Sequence, residues 1–577
     1  MKILLAAINA KYIHSNPAVY TLAAFAGMEP QAVEIREFTI NQYKEEILES
    51  IYKARADVVM FSCYIWNIAL VSSVSAMLKA AAPHVHIWLG GPEVSYDAPE
   101  FLKNHPHIEG IMYGEGEYSF KALAEYYVNS LGALENVPGI VYRSDGHIVK
   151  HAPAPPVPMD MLPFIYDDTA LFEHKIIYYE SSRGCPFSCS YCLSSIDRHV
   201  RFKSTALVQA ELLKFLEAKV PQVKFVDRTF NCRHEHTMAV WQFIKDHDNG
   251  VTNFHFEITA DLLSEDEIGL LASMRPGLVQ LEIGVQSTCE KTLEEIRRVM
   301  DFGHLSRVVT KIAQAGNVHQ HLDLIAGLPF ETLERFKQSF NDVYLLKPQQ
   351  LQLGFLKVLK GSWMYENRGA YGLVYDPEPV YEVIRTRWMS FDDILYLKGI
   401  ESVLEIFYNS RQFEKSIAFL EHFFDTPFEL YGALADFYED RALNMCSHAR
   451  MARYDHLLAF ADVHGIDTAL MKELLLSDLY GREHLKKRPS WAQVSKEAKA
   501  AAADFYNDSG QIERFLPEMA GESYRQLRFD THLEFFDYDM EAAITKGEAV
   551  RRKHALLFNY RKRNPLTYEA EEIDVSR

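Results

Sequence analysis

Three of the seven cysteines in this 577-residue chain, Cys185, Cys189 and Cys192, fall within eight residues of one another. They stand as Cys-x3-Cys-x2-Cys in the run Glu180-Ser181-Ser182-Arg183-Gly184-Cys185-Pro186-Phe187-Ser188-Cys189-Ser190-Tyr191-Cys192. Thiolates are soft ligands that suit iron, and three on one tight loop can hold three irons of a [4Fe–4S] cluster. The fourth iron is then left open, and a small molecule can bind it directly. The competing readings are a zinc knuckle and three unrelated buried thiols. Structural zinc sites take four ligands as a rule, and His199 is the near candidate for a fourth.

A loop of this kind must be mounted on something rigid. Strand patterns at 175–181, 222–226, 253–258, 278–283, 321–325 and 350–355 alternate with helical patterns at 207–216, 236–245, 265–273, 305–315 and 333–344. Six strand–helix units without a dinucleotide-binding glycine fingerprint predict a partial (β/α)6 barrel over residues 173–362, and such barrels carry their chemistry at the carboxyl ends of the strands. The cysteine run follows the first of these strands.

Residues 1–135 also alternate, with strands expected at 2–7, 33–38, 57–62, 86–89 and 108–113 and helices at 18–26 and 44–54. This spacing predicts a doubly wound, Rossmann-like α/β domain with parallel strands, whose ligand lies beyond the carboxyl ends at the switch in strand order. Those ends carry polar or glycine-rich loops: Asn9 to Pro17, Ser62 to Asn67, Gly90-Gly91-Pro92-Glu93 and Gly114-Glu115-Gly116-Glu117. Glycines there let backbone approach a ligand. A hairpin (139–143 with 147–150) and the proline-rich stretch 151–158 form the connection, residues 136–172. Beyond residue 363 the chain reads as a mainly helical domain running to 577, with strand-like runs at 524–530 and 555–560.

A formal charge of -19 disfavours a polyanion as substrate, and the basic runs 486–488, 551–553 and 561–563 read as solvated helix faces. Seven cysteines in this length are no disulfide scaffold. Residues 1–9 are too short for a secretory signal, and no stretch reaches the about 20 apolar residues that span a bilayer. A soluble cytoplasmic enzyme is expected.

The Cys185–Cys192 spacing, with Tyr191 before the last cysteine, resembles the radical S-adenosylmethionine (radical SAM) superfamily. In that family the open iron binds S-adenosylmethionine, and one electron from the cluster cleaves its C–S bond to a 5′-deoxyadenosyl radical. Downstream segments are similar to the coproporphyrinogen-dehydrogenase-like branch: Phe225 to Asn231, Phe256 to Ala260, Glu282 to Ser287, Leu293 to Arg298 and Asp323 to Pro329. By that match Glu257, Gln286, Arg298 and Asp323 contact S-adenosylmethionine. Carboxylates suit its ribose hydroxyls or ammonium, and Gln or Arg can reach its carboxylate or ribose.

Residues 1–360 together resemble the cobalamin-dependent subgroup, whose first domain holds the corrinoid against the barrel. The resemblance implies cobalamin contacts from Asn9, His14, Ser62, Tyr64, Gly90, Gly91, Glu93, Gly114 and Gly116. The first domain lacks the Asp-x-His-x-x-Gly loop that places histidine on cobalt in many cobalamin domains, and His14 is the nearest candidate. No residue is singled out as catalytic. Cys232 and Cys289 lie near strand ends and could act as thiols, but read more simply, with Cys446, as small buried groups. Three functions remain open: methyl transfer to an unreactive carbon of a small molecule, radical chemistry with the first domain as scaffold, and a cobalamin or redox sensor. The enzymatic readings also imply a reductase or a flavodoxin- or ferredoxin-type electron donor.

Overall fold

The computed structural model describes residues 1–168 and 172–576. Strands β1 (Ile3–Asn9), β2 (Val33–Thr39), β3 (Val58–Ser62), β4 (His86–Gly90) and β5 (Gly110–Met112) form a parallel sheet in the order 2-1-3-4-5. Every residue of β1 is buried, because helices cover both faces of the sheet and an apolar run satisfies both. The strand order reverses between β1 and β3, which opens a crevice at their carboxyl ends.

The hairpin expected in the connection belongs to this sheet. Strands β6 (Ile140–Ser144) and β7 (His147–Lys150) continue it antiparallel from β5. With only three residues, β5 would be a weak edge, and the hairpin pairs the groups it would leave open.

Strand β8 (Ile177–Tyr179) opens the second sheet. It is followed by a short ladder of β9 (Ser182–Arg183) and β10 (Arg201–Phe202), then β11 (Gln222–Phe225), β12 (Asn253–Ile258), β13 (Val279–Gln286), β14 (His319–Ala326) and β15 (Gln350–Phe355). Strands β8 and β11 to β15 are parallel neighbours in chain order, an open arc of six that matches the partial barrel expected.

Along the arc, side chains alternate strictly. Phe225, Phe254, Phe256, Leu281, Ile283, Leu322 and Leu351 are buried in one core with the helices. The opposite face carries Lys224, His255, Glu257, Glu282, His321 and Asp323 at the intervening positions. Ordinary barrels fill this inner face with branched aliphatic residues. Here it is a polar trough.

After β15 the chain turns back across the barrel through β16 (Val374–Tyr375) and β17 (Val383–Arg385), and Val383 N donates to Leu356 O at 2.9 Å. Helices Phe391–Leu404, Pro427–Asp440, Arg450–Val463 and Thr468–Arg482 follow, and their apolar stripes merge with the barrel core. An antiparallel sheet of β18 (Thr531–Tyr538), β19 (Arg551–Arg563) and β20 (Ala570–Asp574) completes the chain. The run 524–530, read as strand, is instead the helix Tyr524–Asp530. The Ser523 hydroxyl accepts from Gln526 N, a helix-capping arrangement, and the strand begins at Thr531. Among the described residues no helix is long and apolar enough to cross a membrane.

The glycines of the first domain do different jobs. Gly91 has φ +112°, and a Cβ there would lie 2.5 Å from Cys63 O, so its bare Cα lets the β3 and β4 loops touch. Gly114, at φ +76°, has open space on that side. Gly91→Ala is therefore expected to destabilise by at least about 2 kcal/mol, combining strain and a backbone collision. Gly114→Ala should cost about 1 kcal/mol from strain alone. Thermal unfolding of the two variants measures the difference, and equal shifts would contradict it.

Candidate functional site

The cysteine loop is gripped from several sides. The β9–β10 ladder brackets it, and Cys185 N donates to Asp197 O at 2.9 Å. Gly184 has φ +96°, and a Cβ would lie 2.6 Å from His199 O, so glycine is required where the two arms of the loop meet. Ser190 N donates to Ile296 O at 2.9 Å, and Met364 N donates to Ser190 O at 2.8 Å. The loop is thus tied to the segment before Arg298 and to the chain crossing the barrel mouth.

Asp227 anchors the loop from below. It is fully buried and accepts from Ser181 N at 3.0 Å, Ser181 Oγ at 2.7 Å and Ser182 Oγ at 2.5 Å. Burial pushes its carboxyl up to about 6, while the serine hydrogen bonds pull the other way.

Cys185 and Cys189 are buried and Cys192 is half-buried. Among the described residues no three His, Cys, Asp or Glu side chains converge to hold one metal ion. Three soft thiolates match the ligand number of a [4Fe–4S] cluster with one open iron, whereas structural zinc takes four ligands.

Gln286 and Arg298 meet beside these thiols. Strand β13 is irregular between Gly284 and Gln286, and Gln286 adopts φ +73°. A Cβ on Gly284 would lie 2.3 Å from Gln286 Nε2 and 3.3 Å from Arg298 Nη2, so glycine makes room for both side chains. Arg298 donates to Gly284 O, and its Nη1 stands 3.8 Å from Cys189 Sγ. Gln286 Oε1 and Arg298 Nε are buried without a hydrogen-bond partner. Such orphaned groups call for a bound ligand. An amino-acid head with its own ammonium and carboxylate fits them.

Glu257 and Asp323 lie in the polar trough. Parallel register sets Glu282 beside both Glu257 and His321, and Gly284 beside Asp323. Lys224 Nζ donates to Glu282 at 3.0 Å, His255 Nε2 stands 3.0 Å from the same carboxylate, and His321 Nε2 stands 2.9 Å from Asp323. Burial would raise the Glu282 carboxyl, but His255 and Lys224 outweigh it and bring it down to about 2. Glu257 is pushed up to about 7 by burial and by the charge on Glu282.

Between the carboxyl ends of the first sheet and the barrel lies a cleft of about 490 Å³. Of the residues expected on the corrinoid, Ser62, Tyr64, Gly90, Gly91, Gly114 and Gly116 line it. Asn9, His14 and Glu93 do not, and instead join parts of the protein. Asn9 Nδ2 donates to His14 O at 3.0 Å and to Glu37 at 2.8 Å. His14 Nδ1 lies 2.5 Å from the Tyr178 hydroxyl of the barrel. Glu93 accepts from the Tyr381 hydroxyl.

Sequence reasoning missed the charges that join the two sheets. Arg183 donates to Glu180 at 2.9 Å, to Glu117 at 2.6 Å and to Glu115 at 3.2 Å, and Arg201 also pairs with Glu115. Burial opposes the charge on Arg183, yet its carboxylate partners more than restore it. Arg183 stands within the cysteine run, and Glu115 and Glu117 in the loop Gly114 to Glu117. Their pairing across 66 and 68 positions left no local signal.

Comparison with known families agrees with this anatomy. Residues 3–124 match the B12 binding domain, 179–343 the radical SAM superfamily, and 369–558 a protein family of unknown function, DUF4080. The cobalamin-dependent radical SAM methyltransferase TokK of Streptomyces tokunonensis is 25% identical over 305 residues, covering 50% of this chain and 44% of that protein. The hopanoid C-3 methylase of Methylococcus capsulatus is 24% identical over 356 residues, 56% of this chain and 66% of that one. The chain spans under half the length of the first curated relatives it matches. Among solved structures, the cobalamin-dependent S-adenosylmethionine radical enzyme OxsB, with aqua-cobalamin and S-adenosylmethionine bound, shares the fold at a TM-score of 0.57 and 14% identity. That match covers 90% of this chain and 84% of OxsB.

Proposed function

We propose that this chain, a radical SAM protein with an N-terminal B12-binding domain and a C-terminal DUF4080 domain, is a cobalamin-dependent enzyme that transfers a methyl group to an unreactive carbon of a small molecule. The observation that carries this reading is the cleft, where the carboxyl ends of the first sheet face barrel residues that follow β8 and β11. The printed activity of TokK, a methyltransferase, supports it. When bound, the [4Fe–4S] cluster would supply the electron that cleaves S-adenosylmethionine and cobalamin would carry the methyl group.

The protein's own residues hold these groups. Cys185, Cys189 and Cys192 would ligate three irons, and the hydrogen bonds that Asp227 accepts from Ser181 and Ser182 would keep their loop in place. Gln286 and Arg298 offer unsatisfied polar atoms to the amino-acid end of S-adenosylmethionine, while Glu257 and Asp323 offer carboxylates to its hydroxyls or ammonium. Ser62, Tyr64, Gly90, Gly91, Gly114 and Gly116 form the corrinoid's wall. The electron would come from a reductase or a flavodoxin- or ferredoxin-type protein in the cytoplasm.

A second reading makes the first domain a scaffold that binds no corrinoid. The engagement of His14 with Tyr178 favours it, since the nearest histidine is already occupied. Product stoichiometry separates the two. Methyl transfer predicts one S-adenosylhomocysteine and one 5′-deoxyadenosine per methylated product under anaerobic reduction, and the scaffold reading predicts no S-adenosylhomocysteine. Cys189→Ala should abolish 5′-deoxyadenosine formation in either case, and a Cys189→Ala protein that still forms it would refute the ligand assignment.

The raised carboxyl of Glu257 sets a pH dependence. Free protein holds a proton there up to about pH 7, and a ligand whose donors need the carboxylate must displace it. Affinity for S-adenosylmethionine therefore rises with pH, by about ten-fold between pH 6 and 8 for a single titrating group. Equilibrium binding across that range should give this slope in the native protein and a flat profile in Glu257→Gln. A slope that survives the substitution would remove Glu257 from the contact.

A further inference from the structure

Among the charged side chains that line the cleft, one has no ion-pair or hydrogen-bond partner. Glu115 is paired with Arg183 and Arg201, Glu117 and Glu180 with Arg183, and Lys203 with Glu211 at 2.8 Å. The remaining one is Arg228: its carbonyl accepts from Thr229 Oγ1 at 2.7 Å, but its guanidinium makes no hydrogen bond or ion pair with any described residue. It stands just past the carboxyl end of β11, next to the buried Asp227, so the backbone that carries it is fixed. Its side chain is exposed, and the space it borders is the cleft.

Position narrows what Arg228 can meet. Its charge reaches Tyr64 of the first domain and Glu257 of the barrel, pulling the acidity of each toward the ionised form. It therefore stands between the wall proposed for the corrinoid and the residues proposed for S-adenosylmethionine. A methyl acceptor must occupy that gap to meet both. A planar guanidinium with all its donors free is suited to a carboxylate or phosphate, which it can take in bidentate fashion.

We infer that Arg228 is a substrate-binding residue, and that the methyl acceptor is a small molecule carrying a carboxylate or phosphate, which Arg228 holds in the cleft. This rests on the methyl-transfer reading for the identity of the acceptor, and on the unpartnered guanidinium in the cleft for its anion. A purely hydrocarbon acceptor would leave the guanidinium facing an apolar surface, at the cost of a desolvated, unpaired charge.

Two other anions could reach the same residue: the nucleotide phosphate of cobalamin and the carboxylate of S-adenosylmethionine. The test is built to tell them apart. Protein loaded with cluster, hydroxocobalamin and S-adenosylmethionine is treated with phenylglyoxal with and without inorganic phosphate, and modification at Arg228 is read by peptide mapping. Arg228→Gln is titrated in parallel, at pH 9 so that Glu257 is ionised with or without the neighbouring arginine, with hydroxocobalamin, with cobinamide, which lacks the nucleotide phosphate, and with S-adenosylmethionine. Phosphate should slow modification of Arg228 several-fold in the loaded protein, while Arg228→Gln binds all three cofactors as the native protein does.

A ten-fold or greater loss of affinity for cobalamin but not for cobinamide would assign the residue to the corrinoid and overturn the proposal. The same loss for S-adenosylmethionine would overturn it in favour of that cofactor. Absence of phosphate protection would make Arg228 a solvated cation with no anion to hold. If the native protein binds neither cofactor, methyl transfer fails instead, and phosphate protection is then read on the unloaded protein.

Discussion

Arg183 is the interaction on which the rest of the structure depends. It sits two residues before Cys185, in the short ladder that starts the cysteine loop, and reaches across to Glu115 and Glu117 of the first domain. Removing one partner from a buried ion network typically costs about 3–5 kcal/mol, because the remaining charges are left unpaired. That asymmetry makes the network a device for placement. It fixes the carboxyl edge of one sheet against that of the other, and places the cysteine loop at their junction. Lys175 with Glu37, and Lys360 with Asp97, add further ion pairs between the first domain and the rest of the chain.

The polar trough of the barrel follows from the same division of labour. Strands β11 to β14 give every second side chain to the helices and the rest to an inner face where charges are paired with one another. Burial pushes Glu257 toward the neutral form, and the charge of its neighbour Glu282, held ionised by Lys224 and His255, adds to the push. Two carboxylates in adjacent register positions thereby acquire different proton affinities, the usual sign that such groups have different tasks.

What could be read from the sequence was what is local. The spacing of Cys185, Cys189 and Cys192 and the alternation of strands and helices depend on near neighbours along the chain, and the two α/β layers and the helical region after them followed from these. The loops after β4 and β5 were recognisable as a cleft wall from their glycines, and the loop after β3 from its polar residues, but the reason for Gly91 was not, since it lies in the backbone of Cys63 rather than in a ligand. Asn9, His14 and Glu93 sit in the right loops and were expected on the cofactor, yet partners far along the chain, Glu37, Tyr178 and Tyr381, hold them elsewhere. Arg228 was visible as a strand-end residue. Its unpaired state emerges only once every neighbouring charge has been matched.

Metal content decides whether one protein holds a cluster and a corrinoid on either side of this cleft. Protein purified without oxygen, reconstituted with iron and sulfide, incubated with hydroxocobalamin and desalted should retain about four irons and about one cobalt per chain, with the visible absorption of both groups. Iron without cobalt would contradict a corrinoid in the cleft, leaving the cleft as a joint between domains and the first domain as a scaffold.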